Sequence, residues 1–172
     1  MCMGKRLSLG IVLALMLGGA ASAAETPGLG KQVSEADLAL WDISIGPDGR
    51  GLPPGSGTAA QGAPIFAQKC EACHGKEGVG GSNAVLANAP GKNQNTMALY
   101  VPNATTIFDF IRRAMPWTAP KSLTDHEVYA VTAYVLRLNS IIGDADVMDA
   151  ETLPRVRMPN RDGFIPLFPG KH

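Results

Sequence analysis

Four stretches of the chain repeat apolar residues at helical spacing. The clearest is Thr124–Leu138, where Val128, Val131, Val135 and Leu138 return at i, i+3, i+7 and i+10 and line one side of an α-helix. Its start is marked twice. Thr124 with Glu127 forms a capping box, and Leu123 with Val128 brackets it as a hydrophobic staple. Tyr134 lies beside the apolar stripe, placed to pack on an earlier helix. Thr105–Ala114 buries Ile107, Phe108 and Ile111 and ends in Arg112 and Arg113, cations suited to the negative end of a helix dipole. It stops before Met115-Pro116, because a residue preceding proline is pushed out of the α region, and Pro116 and Pro120 keep 115–120 extended. Residues 58–73 predict a helix with Gly62, Phe66 and Cys70 on one face, Gly62 allowing close approach of another helix and Phe66 filling the contact. Val33–Trp41 predicts a short helix capped by Ser34, with Leu38, Leu40 and Trp41 as its apolar contacts.

The intervening stretches carry no such period. Gly46 to Gly57 is too rich in Gly and Pro for a regular element. It reads either as a flexible linker or as an ordered arm, and Trp41, Ile43 and Ile45 favour the arm, since free linkers seldom hold large apolar residues. Gly75 to Gly81 is glycine-rich, but no strand precedes it, so it is not a phosphate loop. Asn83 to Pro102 is loop with at most a helical turn, and after Asn139 the chain is irregular again, ending in the turn-rich 158–164. The expected fold class is all-α.

The first residues change the picture of where the chain works. Lys5 and Arg6, the apolar run Leu7 to Leu17 and the small residues Ala21-Ser22-Ala23 have the layout of a secretory signal peptide. The run is short for a membrane span, and the alternative is an uncleaved anchor. Cleavage removes Cys2, Lys5 and Arg6 and leaves 13 basic and 15 acidic residues, net −2, which gives no reason to invoke nucleic acid. The expected organisation is a signal peptide (1–23), a Gly/Pro-rich arm (24–57), a helical domain (58–140) and an irregular tail (141–172), with no membrane span once the signal is cleaved.

The chemistry is concentrated in Cys70-Glu71-Ala72-Cys73-His74. C-x-x-C-H is the attachment signature of a c-type haem. Two cysteines three apart lie on one helical turn, so both sulfurs reach the vinyl groups on one haem edge, and the next residue, His74, lies beneath the iron. A thioredoxin-like pair would want a preceding strand, and a zinc site about four ligands, for which only His126 and His172 remain. There is one such motif, so one covalent haem is expected. Pro90 or a nearby backbone carbonyl is the expected acceptor for the other ring N–H of His74. After signal cleavage the methionines are Met97, Met115, Met148 and Met158. Met115, in a stiff loop between two helices, is the expected sixth ligand, and a thioether there suits electron transfer. His126 is the rival, but it points away from the Val128/Val131 face and reads as a solvated surface residue.

Gly62, Phe66, Cys70-x-x-Cys73-His74, Met115-Pro116 and the aromatic-bearing last helix resemble class I cytochromes c over roughly residues 58–140. Trp41-Asp42-Ile43, the stretch Pro47 to Gly57, the stretch Ala104 to Pro116 and Met158 to Phe164 resemble the SoxD-type cytochrome subunit of periplasmic sulfur dehydrogenase. That resemblance implies a single cytochrome c domain with extended, irregular arms. It also implies ligand roles for Cys70, Cys73, His74 and Met115, and electrons received from a molybdenum-cofactor subunit of the sulfite oxidase type. Two departures stand out. Some SoxD-type proteins carry a second haem domain, absent here, and Val101-Pro102-Asn103 replaces the Trp-Pro-Tyr often found in relatives, leaving Tyr100 as a substitute near a propionate. The expectation is a periplasmic one-electron carrier that passes electrons on to another cytochrome or an oxidase. The alternatives are a haem enzyme with an open or displaceable sixth ligand (a peroxidase or a thiosulfate-converting cytochrome), a carrier for another dehydrogenase, and a subunit whose arm and tail mainly bind a catalytic partner.

Overall fold

The computed structural model describes residues 29–88 and 95–165. The proposed signal peptide, Pro90 and His172 lie outside these residues. The chain divides into two units, Met1–Trp41 and Asp42–His172. In the first, helix α1 spans Glu35–Trp41. Ser34 caps it as its residue type implies, its Oγ accepting from the Asp37 N–H at 3.1 Å. No residue of α1 is buried, and Leu38, Leu40 and Trp41 are exposed.

The second unit opens with a chain reversal and strand β1, Ser56–Thr58, followed by α2, Ala59–Lys69, and α3, Glu71–His74. Then come α4, Met97–Tyr100, α5, Ala104–Ala114, α6, Asp125–Leu138, and strand β2, Val147–Asp149. The sequence pattern finds α5 and α6 nearly to their ends and α2 at its start. It misses the ribbon, in which β1 and β2 pair antiparallel with Gly57 opposite Met148. Three-residue strands show no readable alternation.

Helix starts follow side-chain chemistry. Thr124 and Glu127 close the capping box expected at α6, and Thr58 and Gln61 make a second one at α2. The main packing is α2 on α6. A Cβ at Gly62 would fall onto the Ala130 carbonyl oxygen, and one at Gly57 onto the Ala130 nitrogen, so both glycines let backbone reach α6 directly. Phe66 and Tyr134 meet beside this contact with ring centroids 5.2 Å apart, as the position of Tyr134 implied. On the other side Phe108 of α5 packs on Tyr129 of α6, centroids 4.4 Å apart. Phe66, Phe108 and Tyr129 are wholly buried, each contributing roughly 1.5–3 kcal/mol by removal from water.

Between Asp42 and Phe164, described segments flanking the helices pack on this core. Tyr129 Oη donates to the Pro53 carbonyl at 2.9 Å. Arg113 Nη2 donates to the Ile43 carbonyl at 2.9 Å, and Ile45 and Leu52 lie against the core. Met148, Leu153, Val156 and Met158 are core residues supplied by the tail. Phe164 meets Tyr100 edge-on at 5.5 Å, whereas Ile165 is 92% exposed and anchors nothing.

Candidate functional site

The helix predicted over 58–73 is broken once, at Cys70. Its N–H closes α2 on the Phe66 carbonyl (2.8 Å), but its φ of −122° and ψ of −34° leave the helical track. Cys70 therefore serves as the hinge between α2 and α3. Its carbonyl then accepts from the N–H groups of Cys73 (3.1 Å) and His74 (3.0 Å), which winds both cysteines and the histidine onto a single turn. Neither cysteine is in a disulfide. Cys70 is half-buried, and burial pushes its thiol up to about 11, so it stays protonated at neutral pH. Cys73 is exposed.

Gly75 ends α3 at φ +80°, where a Cβ would run into the Val79 carbonyl and the Gly81 nitrogen. The glycine-rich loop then folds back on the motif that precedes it. Gly78 donates to the Gly75 carbonyl (3.0 Å), Leu86 donates to the Gly78 carbonyl (2.9 Å), and Asn83 donates to the Cys73 carbonyl (3.0 Å). This return brings the Ala84 carbonyl oxygen to 2.8 Å from His74 Nδ1. A carbonyl oxygen can only accept, so Nδ1 carries the hydrogen of that bond and Nε2 is the ring nitrogen left for a metal. The expected acceptor was Pro90 or a nearby carbonyl. The acceptor found is Ala84, and Pro90 lies outside the described residues. A main-chain oxygen carries no residue-type signature, so no sequence signal marks it.

The methionines separate by burial. Met148 is 4% exposed and Met158 1%, both built into the core, while Met97 and Met115 are half-buried against it. Met115 leaves α5 immediately, its N–H still on the Ile111 carbonyl (3.0 Å) and its ψ at 145°. It packs on the same core as Cys70. Two thiols and an imidazole on one turn are a soft sulfur and nitrogen donor set of the kind that fits a c-type haem. Among the described residues no three His, Cys, Asp or Glu side chains are grouped to hold a metal ion on their own.

His126 is exposed, as expected, but it is not free. Its Nδ1 stands 2.9 Å from the Ser56 carbonyl and 3.2 Å from the Ser56 nitrogen, on the backbone of β1. Arg112 and Arg113 are also engaged within the chain, Arg112 with Asp125 (3.3 Å) and Arg113 with Asp109 (2.7 Å). The ring of Tyr100 is turned to Phe164 and its carbonyl accepts from Asn160 Nδ2 at 2.6 Å, so this residue holds the tail.

Comparison with known proteins bears on the same residues. The model of the family described as cytochrome C oxidase, cbb3-type, subunit III, matches residues 57–135. The crystal structure of the sulfane dehydrogenase SoxCD from Paracoccus pantotrophus is similar over 82% of this chain and 72% of that chain, with a TM-score of 0.72 and 35% identity. A thiosulfate dehydrogenase of Stutzerimonas stutzeri (strain A1501) is 31% identical over 86 residues, which is 48% of this chain. The matched part spans only 28% of that curated relative's length. Among the described residues no helix is long and apolar enough to cross a membrane.

Proposed function

Because the chain belongs to the c-type cytochromes of the SoxD type, we propose that it is a periplasmic single-electron carrier for the oxidation of a reduced sulfur compound. Cys70 and Cys73 would hold one haem c covalently, and His74 Nε2 and Met115 Sδ would bind its iron. When bound, the haem supplies reversible one-electron exchange between Fe(III) and Fe(II). The chain's own residues do the rest. The Ala84 carbonyl holds the His74 ring in one tautomer and one orientation and strengthens it as a donor. Met115 would supply the second iron ligand, and with it bound no position would be left for a substrate or small ligand; the packed core of α2, α5 and α6 would give the haem an apolar side to rest on. The electron donor is a molybdenum-cofactor dehydrogenase subunit, and the acceptor is another cytochrome or an oxidase. Residues 1–23 direct export, 58–140 carry the haem, and 24–57 and 141–172 serve as arms.

The observation that carries this reading is the Cys70–Cys73–His74 turn with His74 Nδ1 already occupied, an arrangement suited to iron at Nε2. The test is the absorption spectrum of the reduced holoprotein with and without carbon monoxide. A carrier ligated by His74 and Met115 keeps its spectrum. Rapid formation of a carbon monoxide complex would favour the second reading, a haem enzyme with a displaceable ligand, for which the likeness to a thiosulfate dehydrogenase speaks.

A further inference from the structure

The carbonyl that holds His74 belongs to an exposed loop residue, and a carbonyl positions a ring only as firmly as its own peptide is positioned. Ala84 is fixed from both sides. Before it, the Asn83 N–H is tied to the Cys73 carbonyl. After it, Leu86 is held twice: its N–H donates to the Gly78 carbonyl at 2.9 Å, and its carbonyl accepts from the side chain of Asn139 at 2.8 Å. Asn139 is the residue that caps the C-terminus of α6, 53 positions further along the chain.

All of the Asn139 side-chain amide is used. Its two Nδ2 hydrogens go to the carbonyls of Leu86 and Val135, each at 2.8 Å. Its Oδ1 accepts from Thr96 Oγ1 at 2.9 Å. Thr96 is wholly buried and also caps α4, its Oγ1 accepting from the Leu99 N–H at 3.3 Å. Only an amide satisfies this site. A carboxylate would face two carbonyl oxygens with no hydrogen to give, and an apolar residue would leave the Thr96 hydroxyl buried without its acceptor.

We propose that Asn139 is a positioning residue for the axial histidine, acting through Leu86 and Ala84, so that the end of α6 sets the orientation and donor strength of the His74 ring. This rests on the reading that His74 binds the haem iron. The chain of contacts runs from Thr96 through Asn139, Leu86 and Ala84 to His74 Nδ1. It joins the last helix to the motif at the end of α2 by a path that does not use the Gly62–Ala130 packing.

The test is hydrogen exchange followed by NMR on the reduced, 15N-labelled holoprotein, together with its reduction potential. In Asn139→Ala and Asn139→Asp, the His74 Nδ1–H and the Leu86 and Ala87 amides exchange about tenfold faster, as expected for local opening after loss of a hydrogen bond. The amides of Phe108 and Ile111 keep their wild-type rates. The potential rises in both variants, because a less firmly held imidazole donates less to the oxidised iron. Thr96→Val, which spares both Nδ2 bonds, gives the same pattern more weakly and stands in if Asn139→Ala does not fold. The proposal is overturned if His74 Nδ1–H exchange stays within about twofold of wild type in these variants, or if every amide accelerates alike. A wild-type His74 ring that shows no haem ring-current shift overturns the ligand reading itself, before any variant is made, and so is told apart from failure at Asn139.

Discussion

Gly62 and Ala130 touch through their backbones. A Cβ on Gly62 would land on the Ala130 carbonyl oxygen and within 2.9 Å of Tyr134 Cβ, so α2 can lie this close to α6 only with glycine at 62. The first prediction follows from that contact. Gly62→Ala forces the helices apart, and overpacking of this kind costs about 1–3 kcal/mol, more than alanine's better helix propensity returns. Denaturant unfolding of the holoprotein should show a lower midpoint with an unchanged slope. An equal or higher midpoint would mean that the two helices adjust freely.

The sequence made this packing legible because its determinants are residue types: a glycine, Phe66 four residues on, and Tyr134 beside an apolar stripe. The capping box at Thr124 and the stop at Met115-Pro116 were legible for the same reason. The box at Thr58 and Gln61 carries the same signal. What sequence did not reveal has no residue-type signature. The Ala84 and Leu86 carbonyls exist in any residue, and β1 and β2 are three residues each, paired across some ninety positions of chain. His126 looked solvated because its helical position faces away from the core. Only the fold brings Ser56 to it.

Met115 is expected to bind the iron. Met115→Ala should open the sixth position, lower the reduction potential and let the reduced haem take carbon monoxide. Met97→Leu and Met158→Leu are the controls. Met158 is 1% exposed in the core, so its leucine variant should cost less than about 1.5 kcal/mol and leave the spectrum alone. If Met115→Ala keeps a low-spin spectrum and resists carbon monoxide, another group is the ligand.

One haem should be attached covalently by Cys70 and Cys73. Acid-acetone extraction should leave the colour with the protein, and the intact mass should carry one added haem. Cys73→Ala should leave attachment through Cys70 alone. Haem recovered in the organic phase from the unaltered protein would contradict the assignment.

Glu127 links the start of α6 to the end of α2. Its carboxylate accepts from the Thr124 N–H at 2.8 Å and from Lys69 Nζ at 3.1 Å. The Thr124 N–H comes first among the causes that hold its pKa below the ordinary carboxylate value, with Lys69 and the Thr124 hydroxyl adding to it. A depressed folded-state pKa means that this stabilisation is complete above the unfolded pKa and is lost as pH falls through the folded one. Stability measured from neutral pH to about pH 3 should therefore fall less steeply in Glu127→Gln, which can still close the box but has no charge to titrate. Thr124→Ala removes the cap itself and should cost about 1 kcal/mol. Identical pH profiles for wild type and Glu127→Gln would show that the pairing contributes nothing.

The last prediction concerns how the chain would dock on the proposed dehydrogenase partner. Removing residues 24–57 to probe docking would be misread, because that deletion also takes Pro53 from the Tyr129 hydroxyl and strand β1 from β2. Removing only 24–41 spares every one of those contacts. It takes away α1, whose Leu38, Leu40 and Trp41 are exposed. Exposed apolar residues grouped on one short helix are suited to a partner. The truncated protein should keep a wild-type haem spectrum and melting temperature, while electron transfer from the purified molybdenum-cofactor subunit slows by about tenfold, the loss expected from one or two apolar interface anchors. Rates should be compared as second-order constants at low and high salt, since an apolar contact changes little with ionic strength while charged contacts would weaken. Equal constants for the two proteins at both salts would remove α1 from the docking surface and leave recognition to the segments that are packed on the core.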